Sequence, residues 1–214
     1  MPDDLEELAK PVIVGRSSSH FTRVVRIFAA ETSVDCSFRV VRDLMSSDVA
    51  DYGGNPALRL PTLHTHRGAW FGALNSCREL SRQSRLMQHI VWPEDLDQPL
   101  LANTQELAVQ AMATEVALIM AELAGPNAGN RHQRKMRESL LNSLAWLEGN
   151  VRDALAALPA ERDVSYLEVT LFCLFTHLEF RDVLPVAPYP ALNAFCQQFS
   201  TRASAARTAY RFDT

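Results

Sequence analysis

The sequence predicts an α/β domain followed by an all-α domain. Residues up to about 83 alternate short β-branched runs with helical patterns, whereas residues beyond 100 carry only long helical patterns. The segment between them contains Trp92, Pro93 and Pro99 and fits neither pattern. We therefore assign 1–83 to the α/β domain, 84–99 to a linker and 100–214 to a helical domain.

The α/β domain is predicted from runs that follow a βαβ–ββα order. An apolar β-branched run ends at Gly15, and the turn between the last two strands lies near Gly68. In chain order we predict a strand at 11–14, a helix at 21–30, strands at 36–41, 58–63 and 69–71, and a helix at 76–83. This order favours a four-stranded mixed sheet with helices packed on it.

The second domain is predicted to hold four helices, at 100–123, 131–158, 165–178 and 191–203. The first should stop at Gly125-Pro126. The second carries an apolar stripe of Met136, Leu140, Leu144, Leu147, Val151 and Leu155. The third is almost entirely apolar and should be buried. It starts with a capping box, in which Ser165 accepts the Glu168 N–H and the Glu168 carboxylate reaches back.

Pro61 stands inside the apolar run 58–63, where a proline removes a ladder hydrogen bond. A cis Leu60–Pro61 bond explains this position, because it turns the chain sharply and exposes the preceding backbone to a ligand. The alternative is a trans proline on an edge strand.

Charge, apolar stretches and cysteine spacing argue against several classes of protein. The 214 residues carry a formal charge of −4 without a basic run, which argues against nucleic acid as a partner. The acidic start does not resemble a signal peptide and no stretch is apolar enough to cross a bilayer, so we expect a cytoplasmic protein. The four widely spaced cysteines form no CxxC pair, so we expect reduced, mostly buried thiols.

Five motifs in register resemble the cytosolic glutathione transferase family over nearly the whole chain. They are the serine-rich loop before Arg23-Val-Val-Arg-Ile27, Asn55-Pro56 with Pro61-x-Leu63, Asn75-Ser76, Ser165-Tyr-Leu-Glu168 and Tyr189-Pro190-x-Leu192. The resemblance implies an N-terminal thioredoxin-like domain and a C-terminal helical bundle. It also implies glutathione as co-substrate, a small hydrophobic electrophile as second substrate, and a homodimer.

The resemblance assigns glutathione-binding roles to particular residues. Leu60, before Pro61, would pair its backbone with the cysteinyl part of glutathione. Ser76 would bind the γ-glutamyl carboxylate at a helix start, next to Asn75 where the family usually carries an acidic residue or glutamine. Plain capping is the alternative for this pair. Arg59 could meet the glycyl carboxylate or be a surface charge.

Ser19 is the candidate for stabilising the glutathione thiolate. The family's helix aligns on Val25-Arg26-Ile27 and places Ser19 at the helix N-terminus, where a hydroxyl and the helix dipole both favour an anion. An ordinary N-cap is the alternative, and Ser17, Ser18 or His20 could take the role instead. The loop has no cysteine, which argues against the thiol-transferase branches of the family.

Further candidates lie around the expected electrophile pocket. His20 could line it or act as a base, and the first long helix offers an inner face of Met112, Glu115, Val116 and Ile119, residues that are equally compatible with core packing. His64 and His66 have the spacing of a metal pair but lack a third ligand, so we predict a polar hairpin tip and no metal.

Three functions fit these residues. The leading hypothesis is a glutathione S-transferase that adds the glutathione thiolate to an electrophilic carbon. The second is a transferase-like binding or regulatory module without catalysis, favoured by Asn75. An isomerase or dehalogenase that uses glutathione is the third, and the sequence does not separate it from the first.

Overall fold

A computed structural model describes residues 10–123, 125 and 130–213. Contacts divide the chain into two compact units. The first contains the described residues of Met1–Gln88 and of Thr201–Thr214, and the second is His89–Ser200. The sequence-based division had placed 201–214 in the helical domain. The structure groups the described part of this segment with the sheet instead, because it packs along the first helix.

The first unit contains the predicted four-stranded mixed sheet, with strand order β2-β1-β3-β4. Its elements are β1 (Val12–Gly15), α1 (His20–Glu31), β2 (Ser37–Val40), β3 (Thr62–Thr65), β4 (Gly68–Phe71) and α2 (Ala73–Gln83). Strand β1 pairs parallel with β2 and antiparallel with β3, which pairs antiparallel with β4. The βαβ–ββα thioredoxin-like order is therefore confirmed.

Gly15, the last residue of β1, allows the first turn of α1 to pack closely against the end of the strand. A methyl group on Gly15 would lie 2.4 Å from Thr22 Cγ2, so only glycine fits. The apolar side of α1 is buried through Val24, Val25, Ile27 and Phe28. The end of β1 and the start of α1 are thus held at a short, fixed separation.

Two predicted boundaries in this unit are wrong. Strand β3 begins at Thr62, so Pro61 precedes the strand and does not interrupt it; Leu58, with φ 53°, turns the chain before it. Helix α2 begins at Ala73, three residues before the predicted start, and follows directly on β4. The apolar run 58–63 concealed the first boundary, and the apolar pair Ala73-Leu74 concealed the second.

The second unit is helical apart from a small parallel sheet that the sequence did not predict. Its elements are β5 (Ile90–Val91), a short 3-10 helix (Pro93–Asp95), α3 (Pro99–Leu123), α4 (Arg131–Ala157), β6 (Val164–Ser165), α5 (Tyr166–Arg181) and α6 (Pro190–Ser200). A last short helix, α7 (Ala203–Arg207), belongs to the first unit. The predicted helix at 191–203 therefore corresponds to α6, which ends at Ser200, and α7 was not predicted. The predicted stop at Gly125-Pro126 includes Pro126, which lies outside the described residues.

Helix α5 is the centre of this unit, as its sequence predicted. Its residues from Val169 to Phe175 are all buried, and α3 and α6 pack against it. The stripe on α4 is buried at Leu140, Leu144, Leu147 and Val151. Among the described residues, no helix is long and apolar enough to cross a bilayer.

The capping box at the start of α5 forms only in part. The Ser165 Oγ accepts the Glu168 N–H at 3.0 Å, as predicted. The Glu168 carboxylate accepts two hydrogen bonds from Arg162 instead, at 2.9 and 2.7 Å. A bidentate guanidinium is a stronger partner for a carboxylate than a backbone N–H, which explains the difference.

Candidate functional site

Three segments of the first unit meet where β1, β3 and β4 end on the same side of the sheet. Val14 pairs with Thr62, and Thr62 pairs with Phe71. The loop after β1, the Leu60–Pro61 segment before β3 and the start of α2 after β4 therefore leave the sheet side by side. The Gly72 N–H also donates to the Pro61 carbonyl at 3.0 Å, which ties the second segment to the third.

The first segment is the serine loop, which we define as residues 16–19. Ser19 is the N-cap of α1, and its Oγ accepts the Thr22 N–H at 3.3 Å. The Ser19 N–H donates to the Arg16 carbonyl at 3.1 Å. Ser17 and Ser18 are buried, whereas Ser19 keeps partial exposure. A hydroxyl that accepts a capping bond still has its own proton to donate, so capping does not exclude a bond to a thiolate.

The second segment ends in the cis Leu60–Pro61 bond that the sequence predicted. Leu60 lies outside the ladder of β3, and within the described chain its N–H and C=O make no hydrogen bond. Asn55 fixes this segment, because its Nδ2 donates to the Arg59 carbonyl at 2.8 Å. The Arg59 side chain is exposed. The Leu60 backbone is therefore available to an extended peptide.

The third segment differs from the sequence-based assignment. The N-cap of α2 is Gly72, with φ 82°, and Ala73 is the first helical residue. Ser76 lies one turn inside the helix and is fully buried; its N–H and its hydroxyl both donate to the Gly72 carbonyl, at 3.2 and 2.7 Å. The Asn75 side chain donates to the Phe71 carbonyl at 3.1 Å. Ser76 is thus not at the helix start, and its N–H is not open to a carboxylate.

The start of α2 presents backbone donors in place of side chains. The first N–H groups of a helix have no partner within it, and those of Ala73, Leu74 and Asn75 are also without one in the described part of the chain. Unpaired N–H groups at a helix N-terminus favour an anion, and the helix dipole adds to the attraction. The arrangement can bind a carboxylate but offers no side-chain charge for an ammonium group.

The remaining histidines and cysteines of this unit that the sequence singled out differ in their surroundings. His64 Nε2 lies 2.9 Å from the Gly53 carbonyl, and His66 is in the exposed turn of the hairpin. Cys36 is half-buried, and burial, helped by the charge of Asp35, raises the pKa of its thiol to about 12. Cys77 is fully buried on α2. The His64 ring therefore has a structural contact, and the thiolate form of Cys36 is disfavoured.

The residues expected to line the electrophile pocket belong to both units. His20 is the first residue of α1 and is buried. On α3, Met112 and Glu115 are fully buried, whereas Val116 and Ile119 are partly exposed. The Glu115 carboxylate lies 2.7 Å from His177 Nδ1 on α5. Glu115 therefore joins two helices of its unit.

Comparison with known proteins identifies the fold. No protein-family model matches the chain, and no curated protein matches it. Solved structures do match it. A glutathione transferase family member from Pseudomonas fluorescens Pf-5, with bound glutathione, shares 20% identity at a TM-score of 0.77, over 94% of this chain and 100% of its own. A glutathione S-transferase from Methylobacillus flagellatus, also with glutathione bound, shares 19% identity at a TM-score of 0.74, with the same coverage of both chains.

The chain has the glutathione transferase fold. The likeness extends to a Tau-class glutathione S-transferase from mango, at 14% identity and a TM-score of 0.66, over 94% of this chain and 93% of the other. At these identities the likeness concerns the fold. The resemblance that the sequence motifs indicated is thus confirmed for the fold over nearly the full chain.

Sequence reasoning missed two features of the site. It placed the helix start at Asn75-Ser76, although Gly72, the type of residue that can adopt a positive φ, marks the actual start. It also missed Asp213, whose carboxylate accepts the Ser17 N–H at 2.7 Å. No sequence signal joins residues 196 positions apart, so only the structure could show this contact.

Proposed function

We propose that this protein is a glutathione S-transferase that adds the thiolate of glutathione to a small electrophilic carbon. The observation that carries the proposal is that three segments meet at the same ends of neighbouring strands. They are the serine loop, the unpaired Leu60 backbone and the open N-terminus of α2. Two structures with the same fold hold glutathione.

Each element would take one part of glutathione. The Leu60 N–H and C=O would pair with the cysteinyl residue, and the N–H groups from Ala73 to Asn75 would bind the γ-glutamyl carboxylate. Ser19 would donate a hydrogen bond to the sulfur and so lower the pKa of the thiol. Arg59 would be free to meet the glycyl carboxylate from the exposed side.

A second candidate function is a binding module without turnover. It is favoured by Gly72 and Ala73, which provide neither a hydroxyl nor a carboxylate for the γ-glutamyl group. Without a countercharge for the ammonium group, glutathione would bind more weakly and the thiol would be less firmly placed for reaction.

A thermal shift titration followed by a turnover assay tests both candidates. We expect glutathione to raise the unfolding temperature and a generic aryl halide to be conjugated. Cysteinylglycine, which lacks the γ-glutamyl group, is the matched ligand; it should bind more weakly than glutathione, because it loses the contacts with the backbone N–H groups at the start of α2. Binding without turnover on a panel of electrophiles would favour the module, and the absence of binding would exclude both functions.

A further inference from the structure

The C-terminal residues 201–213, here called the strap, lie along α1 of the first unit. Helix α7 is part of the strap and packs against α1. The strap contacts α1 at its C-terminal end, near its start and at the loop that precedes it. It therefore spans the full length of the helix that begins at Ser19.

The first anchor is at the C-terminal end of α1. Arg202 donates two hydrogen bonds to the Glu31 carboxylate, both at 2.8 Å, and the Ser204 hydroxyl donates a third. Burial raises the pKa of Glu31, but the bonds from Arg202 and Ser204 outweigh it and hold the pKa below its usual value. The carboxylate is therefore charged at neutral pH and fixes the start of the strap.

The second anchor is in the first part of α1, at its fourth residue. Arg23 is buried, and one of its Nη atoms donates to the Ala205 carbonyl at 3.3 Å. Its guanidinium also lies over the ring of Tyr210, at 4.3 Å from the centroid. This contact directs the last residues of the strap toward the serine loop.

The third anchor is on the serine loop itself. Asp213 Oδ2 accepts the Ser17 N–H at 2.7 Å, and the Asp213 side chain is only 7% exposed. Ser17 is 1% exposed, and its Oγ has no hydrogen-bond partner in the described part of the chain. The backbone bond to Asp213 is therefore the polar contact that fixes Ser17.

We infer that Asp213 is a positioning residue for Ser19: by holding the Ser17 N–H, it sets the path of the loop that presents the Ser19 hydroxyl. The inference rests on the proposed function, because it assumes that Ser19 meets the glutathione sulfur. The loop leaves β1 after Gly15 and enters α1 at Ser19. Ser17 is the residue between them whose placement the strap decides.

The charge of Asp213 would by itself oppose a nearby thiolate. Arg211 reduces this effect, since its Nε lies 4.0 Å from Asp213 Oδ1. Arg26 is also close enough to interact with both Arg211 and Asp213. With these cations beside it, the carboxylate can serve mainly as a hydrogen-bond acceptor for Ser17.

Two substitutions separate the hydrogen bond from the charge. Asp213→Asn keeps an acceptor oxygen of the same shape, whereas Asp213→Ala removes it. The matched control is Asp35→Ala, which removes an exposed carboxylate of the same unit that pairs with Lys10. Hydrogen exchange of peptides covering residues 16–19 is measured first, without any ligand. The pKa of the bound glutathione thiol and the separate values of kcat and KM follow.

We expect Asp213→Ala to increase exchange in the loop, raise the pKa of the bound thiol and lower kcat on the order of tenfold or more, with KM for the electrophile little changed. Asp213→Asn should keep loop exchange, thiol pKa and kcat close to their wild-type values, because it retains the acceptor oxygen. Asp35→Ala should match the wild type in all three. The inference is overturned if Asp213→Ala leaves loop exchange and thiol pKa unchanged. It is also overturned if Asp213→Asn and Asp213→Ala lower the unfolding temperature equally while the thiol pKa stays the same, because the strap would then only stabilise the fold.

The exchange measurement needs no glutathione and so stands apart from the proposed function. A wild type that neither binds nor converts glutathione overturns that function, while the exchange of residues 16–19 still decides whether Asp213 holds the loop. An active wild type with an Asp213→Ala variant of equal thiol pKa overturns only the role of Asp213.

Discussion

Ser19 has one hydroxyl group and two possible uses for it. Its oxygen accepts the Thr22 N–H as the cap of α1, and its proton remains to be donated. The two uses are compatible, so the cap does not decide whether Ser19 also stabilises a thiolate.

Substitution of Ser19 by alanine should affect turnover more than binding. A lost hydrogen bond to a buried anion costs about 1.5–3 kcal/mol, which is roughly ten- to a hundredfold in rate at neutral pH. We expect Ser19→Ala to raise the pKa of the bound thiol, so the pH–rate profile should shift upward and recover at high pH. Glutathione affinity should change little, since in the proposed site Leu60 and the start of α2 would make the other contacts.

Ser165→Ala is the matched control for this experiment, because it also removes a helix cap but lies in the second unit. It should leave the thiol pKa unchanged. A Ser19→Ala variant with the wild-type rate and profile would make Ser19 a cap only and would favour Ser17, Ser18 or His20.

Cys36 should be unreactive in the folded protein. Its thiol has a pKa of about 12, raised by burial and by Asp35, so the thiolate is negligible near pH 8 and grows only as the pH approaches 12. The other three cysteines are buried. A chromogenic thiol reagent at pH 8 should therefore modify no cysteine quickly in the native protein and all four in urea. Fast modification of the native protein, lost in Cys36→Ala, would contradict this.

At the scale of elements, the start of α2 would decide which residues recognise the γ-glutamyl group in the proposed function. Asn75→Ala and Ser76→Ala should leave the glutathione Kd within about twofold of the wild type, because neither side chain is at the helix start. Gly72→Ala should weaken binding, since a φ of 82° strains any residue with a Cβ and shifts the first N–H groups.

Isothermal titration calorimetry with glutathione measures the Kd of each of the three variants and of the wild type. A loss of affinity of tenfold or more in Asn75→Ala, with Gly72→Ala unaffected, would restore the sequence-based assignment of Asn75.

Helix α5 should lose stability when its cap is removed. Ser165→Ala deletes the acceptor of the Glu168 N–H, a loss that costs about 1 kcal/mol. Ser143→Ala is the control: its hydroxyl bonds the Ser139 carbonyl within α4, a contact that contributes little to helix stability. Urea unfolding of both variants gives the comparison. Equal stability of Ser165→Ala and the wild type would mean that water or another group caps the helix.

At the scale of the whole molecule, we predict a homodimer. Two apolar residues that follow α2 are exposed to solvent: Leu86 is 48% exposed and Met87 is 100% exposed. Phe71, on the edge strand β4 of the same unit, is also exposed. Apolar side chains in this arrangement are typical of an interface.

Light scattering at micromolar concentration should give twice the mass of one chain. Met87→Glu should raise the dissociation constant of the dimer, whereas Met45→Glu, at an exposed methionine of another loop, should not. A monomeric mass for the wild type would contradict the prediction.

Much of the fold was predictable because local patterns agree with the tertiary structure. The β-branched run of β1, the apolar side of α1 and the nearly continuous apolar sequence of α5 each indicated the element that forms. Pro61 indicated the cis bond. The small β5–β6 sheet escaped prediction, because pairing of two-residue strands depends on residues far apart in sequence.

The sequence by itself determined the α/β-then-helical order, the cap at Ser165 and the position of the cis proline, since each depends on neighbouring residues, and it offered the Ser19 cap as one of two alternatives. Tertiary structure alone decided that α2 starts at Ala73, that Glu168 pairs with Arg162 and that Asp213 accepts the Ser17 N–H. The physical reason is the same in all three cases: a side chain or a helix end takes the best partner that the folded chain brings near. Only folding determines which partner that is.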